Sequence, residues 1–148
     1  MKKLLGLALL MLLLISATGT KSVDTELHPS IEGTWELVSR YNYDGENVTD
    51  TLTPVKGYNQ IKMFYNGKVM WTRYTPNKTV EWFGYGSYEA TDHTLVEKLE
   101  YMSASMRKIA NEDMQWRMEL LLDNNSFTQI SLDEDGGRIA SENYHRID

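Results

Sequence analysis

Few residues of this chain are of a type and spacing that could do chemistry. His28, His93 and His145 fall in a polar lead-in, a turn and a terminal strand, and none forms the His-x-His pair that sets two ligands on one site. Ser87 sits in Gly84-Tyr85-Gly86-Ser87-Tyr88 but lacks the second flanking glycine and the following helix of a nucleophile elbow. The runs Glu112-Asp113 and Asp133-Glu134-Asp135 lie in connections, where acidic residues are normally solvated. Cysteine is absent, which removes disulfides, thiolate ligands and thiol nucleophiles. One carboxylate stands out: Glu97 shares a period-two face with Leu95, Leu99 and Tyr101. If Glu97 and Arg117 both point inward they must pair, since an isolated buried charge costs too much to retain. Such a pair would be a structural bridge or would orient a polar head group. The residues therefore point to binding rather than to an enzyme, with no cofactor or metal expected.

The elements that would position these residues read as strands. Gly33-Thr34-Trp35-Glu36-Leu37-Val38-Ser39 opens the first, over residues 33–43, with a glycine start, β-favouring Thr and Val, and Trp35 and Leu37 on one face. Residues 47–57 show no clear pattern and read as a long connection near one end. Asn66-Gly67 is a strong hairpin signal between residues 58–65 and 68–74. Neither face of that hairpin is cleanly polar, so its inward face stays open at this stage. Residues 80–90 follow a turn at 75–78 and place Trp82, Gly84, Gly86 and Tyr88 on one face, where the glycines permit bending or leave room for a ring. Residues 95–103 form the next strand, and residues 102–113 lose alternation in a loop or one helical turn. Residues 114–122, 126–132 and 138–146 complete about eight strands separated by Asp, Asn and Gly turns. Helices between strands are lacking, so a parallel α/β sheet is excluded and an antiparallel meander closed as a barrel is expected. Its inward set is read as Trp35, Leu37, Trp82, Tyr88, Leu99, Tyr101, Trp116 and Met118, with Glu97 as polar member. These are the candidate ligand-binding residues.

The 148 residues, 41% of them hydrophobic and 24% charged, fit one domain with one core. A net charge of −6 without a basic, aromatic-interleaved run argues against nucleic acid as a partner. Lys2 and Lys3, an apolar run over residues 4–15 and the small residues Ser16-Ala17-Thr18-Gly19 read as a cleavable export signal. The run is shorter than the ~20 residues of a transmembrane helix, so no stable anchor is expected after cleavage. Residues 1–19 are thus assigned as signal, 20–30 as a flexible lead-in and 31–148 as the barrel, with a periplasmic or secreted location. Asn47, Asn77 and Asn124 stand in Asn-x-Ser/Thr sequons that matter only in a eukaryotic secretory route.

An exported chain of this size that opens on Gly33-Thr34-Trp35-Glu36-Leu37, turns at Tyr65-Asn66-Gly67-Lys68, carries Gly84-Tyr85-Gly86-Ser87-Tyr88-Glu89 and closes on Tyr144-His145-Arg146 resembles the small bacterial lipocalin-like proteins of unknown function. The resemblance implies an eight-stranded antiparallel up-and-down lipocalin-like β-barrel around a cavity for an apolar or amphipathic molecule. It also implies structural roles for Gly33, Trp35 and Arg146, the indole packing beneath the final strand's guanidinium. The chain departs from secreted lipocalins in having no disulfide and no helix after the last strand. Small haem-binding barrels resembling nitrobindins also open on Gly-Thr-Trp, which would make His145 a proximal ligand. A barrel filled by its own Met and aromatic side chains, serving as a structural or interaction module, is the other alternative.

Overall fold

The computed structural model describes residues 29–76, 80–110 and 115–148. The assigned signal, residues 20–28 of the lead-in, His28, the sequon at Asn77 and parts of the turn at 75–78 and the connection at 102–113 lie outside the described residues. Among the described residues nine strands and one helical turn follow in order: β1 (Gly33–Asp44), β2 (Asn47–Leu52), β3 (Asn59–Tyr65), β4 (Lys68–Tyr74), β5 (Trp82–Ala90), β6 (Thr94–Met102), α1 (Ala104–Arg107), β7 (Gln115–Leu122), β8 (Ser126–Leu132) and β9 (Arg138–Arg146). All pairings are antiparallel. From β3 to β9 each strand pairs with the next, β3 pairs with β1, and β1 pairs with β9. The result is the expected all-β, closed, eight-stranded, up-and-down barrel, with β2 as a ninth strand outside the closed ring.

β2 corrects the expectation of a structureless connection over residues 47–57. It pairs only with the second half of β1, from Arg40↔Leu52 to Asp44↔Asn47, beyond the point where β1 leaves β3. Every residue of β2 is exposed, so neither face carries the apolar alternation by which a strand is read from sequence. The Asn66-Gly67 turn has φ of 47° and 73°, as a type I′ hairpin requires. The register is the one expected for a two-residue turn, with Tyr65↔Lys68, Met63↔Met70 and Ile61↔Thr72.

One end of the barrel is sealed by aromatic packing. Trp35 is fully buried and donates its indole N–H to the Ile31 carbonyl at 2.8 Å. Its ring meets Phe127 edge-on at 4.9 Å, Phe127 stacks on Tyr144 at 4.6 Å, and Phe64 meets Tyr88 edge-on at 4.9 Å. Leu37, Val69, Leu95, Met118 and Leu120 complete this core. The Arg146 guanidinium lies 4.1 Å from the Trp35 ring centroid, the arrangement the resemblance implied. It is held there by the carbonyls of Ser30, Glu32 and Asn124 at 2.7 to 2.8 Å. Gly33 has φ of 136°, and a Cβ there would run into that guanidinium. Glycine is therefore what lets the final strand's arginine cross over the opening of the first.

Two bulges set which side chains enter the barrel. On β1, Leu37 pairs with Tyr144 and Ser39 with Asn143, which leaves Val38 as the extra residue. Inward direction then passes from Leu37 to Arg40. On β6, Gly86 pairs with Leu99 but Tyr85 pairs with Tyr101, so Glu100 is extra. Past it the alternation is inverted, and Tyr101 stands outside with 64% of its surface exposed. Its expected place in the inward set is thus corrected. Gly86 lies against this bulge, where a Cβ would collide with the backbone of Lys98 and Leu99. Gly84 makes room for the Trp71 indole, 2.8 Å from where its Cβ would be.

Candidate functional site: an amphipathic cavity

Above the aromatic floor one side of the barrel interior is polar. The hairpin face left open by sequence resolves with Gln60, Lys62 and Phe64 of β3 and Val69, Trp71 and Arg73 of β4 turned inward, whereas Met63, Tyr65 and Met70 are exposed. The more polar face is the buried one, because the middle of the barrel holds charge in pairs. Lys62 Nζ donates to Glu97 Oε1 and to Gln129 Oε1, both at 2.7 Å, and the lysine and glutamate side chains are only 4% and 5% exposed. Glu97 therefore has an inward partner, but it is Lys62. Arg117 lies exposed on the other face of β7, so the expected Glu97–Arg117 pair is corrected.

A second network stands nearer the mouth. Glu142 of β9 accepts five hydrogen bonds: from Arg40 Nε, Gln60 Nε2, Arg73 Nη2, Gln129 Nε2 and the Tyr144 hydroxyl, at 2.6 to 3.3 Å. Burial pushes the Glu142 carboxyl up, but Lys62, the Tyr144 hydroxyl, Arg40 and Arg73 outweigh it and hold the group below the ordinary carboxylate value. Burial and the neighbouring Glu142 charge raise the Tyr144 phenol well above its ordinary value, which keeps it protonated as a donor. Gln60 ties the network together: its Oε1 accepts from Arg40 Nη2, Tyr58 and Arg73 Nε at 2.6 to 2.8 Å. Among the described residues no buried side-chain nitrogen or oxygen lacks a partner.

These residues form the polar side of a cavity of about 340 Å³. Its apolar side comes from Trp71, Trp82, Leu99, Met106, Trp116 and Met118 on β4, β5, β6, α1 and β7. Tyr41, Asn42 and Ile109 mark the mouth, where Asn42 and Ile109 are exposed. The α1 turn is fixed there by Ser103, whose Oγ accepts from the Met106 N–H at 3.2 Å and whose own N–H donates to the Phe83 carbonyl at 3.0 Å.

Of the nine residues expected to line a site, Trp82, Glu97, Leu99, Trp116 and Met118 do line this cavity. Trp35 and Leu37 lie in the core beneath it, Tyr88 packs beside that core against Phe64, and Tyr101 is outside. Arg40, Gln129 and Glu142 were missed, and Gln60, Lys62, Trp71 and Arg73 stand on the hairpin face that the sequence left open. Arg40 enters only because of the Val38 bulge, and Gln60 and Lys62 belong to a face whose neighbours Ile61 and Met63 look more core-like. His145, three residues after Glu142 on β9, points outward, lies 3.6 Å from Glu36 and is 45% exposed. It cannot reach the cavity as a haem ligand, which corrects the nitrobindin-like alternative on that residue. Among the described residues no cluster of three His, Cys, Asp or Glu is placed to hold a metal ion. Compared with protein-family models, with curated proteins and with solved structures, the chain has no match.

Proposed function

We propose that this protein is a non-enzymatic binding protein that holds a small amphipathic molecule inside its barrel. The observation that carries this reading is the cavity itself: about 340 Å³, with tryptophan, leucine and methionine on one side and a hydrogen-bonded charged network on the other. That volume is at the low end for small-molecule sites, and apolar walls with a few directed polar groups are their usual composition. Each 100 Å² of apolar ligand surface removed from water contributes ~2.5 kcal/mol before association costs are subtracted, so micromolar affinity is expected. The charged groups have settled partners. Glu142 is held ionised and Tyr144 protonated, which suits fixed hydrogen bonding better than proton transfer.

The barrel is compatible with the lipocalin-like resemblance, and the lysine-led apolar segment over residues 1–19 supports export to a periplasm or to the outside of the cell. Native mass spectrometry of protein purified without added ligand tests the binding reading. A mass excess that disappears on denaturation is expected, and it should be lost when Leu99→Trp fills the cavity. Retention of the same excess in Leu99→Trp would place the ligand elsewhere and overturn the reading. A second reading, an interaction module, is favoured by one observation. Met63, Met70, Tyr85 and Tyr101 form a continuous exposed row across β3 to β6, through the pairings Met63↔Met70, Met70↔Tyr85 and Tyr85↔Tyr101.

A further inference from the structure

The charges in the cavity do not cancel. Arg40, Lys62 and Arg73 line it against Glu97 and Glu142, three cations against two carboxylates, an excess of one positive charge in a chain whose net charge is −6. Lys62 and Glu97 are matched one to one and buried. The excess therefore sits at the mouthward network, where Arg40 and Arg73 share a single oxygen, Oε1 of Glu142, at 3.1 and 3.3 Å. We propose that the ligand of this cavity is an organic carboxylate whose head group lies between Arg40 and Arg73 and whose apolar body lies against the tryptophan wall. The proposal rests on the binding reading above and adds the ligand's chemical class.

Three observations converge on it. First, both guanidiniums have donors to spare. Arg40 uses Nε and Nη2, and Arg73 uses Nε and Nη2, while neither Nη1 donates to a protein acceptor among the described residues. A guanidinium presents five N–H groups in a planar fork suited to a carboxylate, so each side chain can take a second anion without releasing its first. Second, the two side chains are 28% and 31% exposed, open enough to meet a ligand yet far enough from bulk water for charge to count. Third, head and body sites adjoin. Arg73 pairs across the strands with Trp82, and its guanidinium lies 5.9 Å from that ring's centroid. A cationic head group is disfavoured, because Glu142 already accepts five donors and Glu97 is matched by Lys62.

The test compares three probes of one chain length, decanoate, decan-1-ol and decylamine, by isothermal titration calorimetry against the mature protein. Decanoate is expected to bind at least ~10-fold more tightly than the alcohol, as charge-assisted hydrogen bonds imply, and the amine most weakly. Arg73→Gln should lower the decanoate-to-decanol affinity ratio about tenfold, and Glu142→Gln, which removes the competing carboxylate, should raise it. If Arg73→Gln does not fold, Arg40→Gln reads the same ratio. Equal binding of decanoate and decanol overturns the carboxylate proposal and leaves the binding reading standing. Tightest binding of decylamine overturns it likewise. Failure of all three probes to bind overturns both.

Discussion

Replacing Lys62 or Glu97 singly should be among the most damaging single changes in the barrel, and replacing both together should cost far less than the two changes summed. Their side chains are about 95% buried and joined at 2.7 Å. In Lys62→Met the Glu97 carboxylate loses its only hydrogen-bond donor among the described residues. In Glu97→Leu the ammonium keeps Gln129 Oε1 at 2.7 Å and the faces of Phe64 and Tyr144 at 5.6 and 6.0 Å. Breaking a buried pair leaves one uncompensated charge and typically costs about 3–5 kcal/mol, so Lys62→Met belongs at the upper end and Glu97→Leu at the lower. Against a total stability of about 5–15 kcal/mol, either is a large fraction. The double variant puts two apolar side chains of similar volume in the same space but leaves Gln129 Oε1 without its Lys62 donor, so it should lose about 1–3 kcal/mol, well short of the sum of the two singles. Urea unfolding followed by tryptophan emission measures all four stabilities, and the double-mutant cycle isolates the coupling. Single variants that lose less than about 1 kcal/mol, or a double variant that loses the sum of the two, would refute the buried pairing.

Trp35→Ala should cost about 3–5 kcal/mol by emptying the fully buried site beneath Arg146; a loss under 1 kcal/mol in chemical unfolding would mean that the sealed end is elsewhere. Tyr101→Ser should change stability by less than about 0.5 kcal/mol, whereas Leu99→Ala should cost about 2–5 kcal/mol, since the Glu100 bulge turns one outward and leaves the other in the cavity wall. Comparable losses would place both on one face and remove the bulge. The Glu142 carboxyl is held below its ordinary value in the folded protein, so the stability it contributes is complete above the unfolded-chain value and is lost as pH falls through the folded one. Unfolding measured between pH 3 and pH 6 should show a shallower acid loss in Glu142→Gln; parallel curves would deny the network that role.

Much of the fold was legible because hairpin chemistry is local. Asn66-Gly67 announces its turn and register, and the spacing of Asp, Asn and Gly turns divides the rest of the chain into strands of barrel length. Trp35 was legible as inward-facing because its face alternates cleanly from the first residue, but the sequence counted it with the ligand site rather than with the floor beneath the cavity. The cavity was only half legible, and the reason is the bulges. One extra residue at Val38 moves Arg40 inside, and one at Glu100 moves Tyr101 outside, and neither residue type announces a bulge. Lys62 was hidden by the opposite difficulty. Its strand offers Ile61, Met63 and Tyr65 as a plausible buried face, and what overrides them is an acid on β6 and an amide on β8, contacts far apart in sequence. The Glu97 signal was read correctly as a charge needing a partner, but sequence had no means of choosing Lys62 over Arg117.

On the binding reading, the barrel takes an amphipathic ligand into the cavity at its mouthward end. The chain has four tryptophans, and their placement makes them a positional probe: Trp71, Trp82 and Trp116 line the cavity while Trp35 is sealed in the opposite end. The most direct measurement is a titration of mature single-tryptophan variants, the other three replaced by phenylalanine, with fatty acids and retinoids while emission is recorded. Saturable quenching or a spectral shift is expected from Trp71, Trp82 and Trp116 at micromolar ligand, with Trp35 unchanged. A response confined to Trp35, or none at any position up to about 100 μM, would contradict the claim.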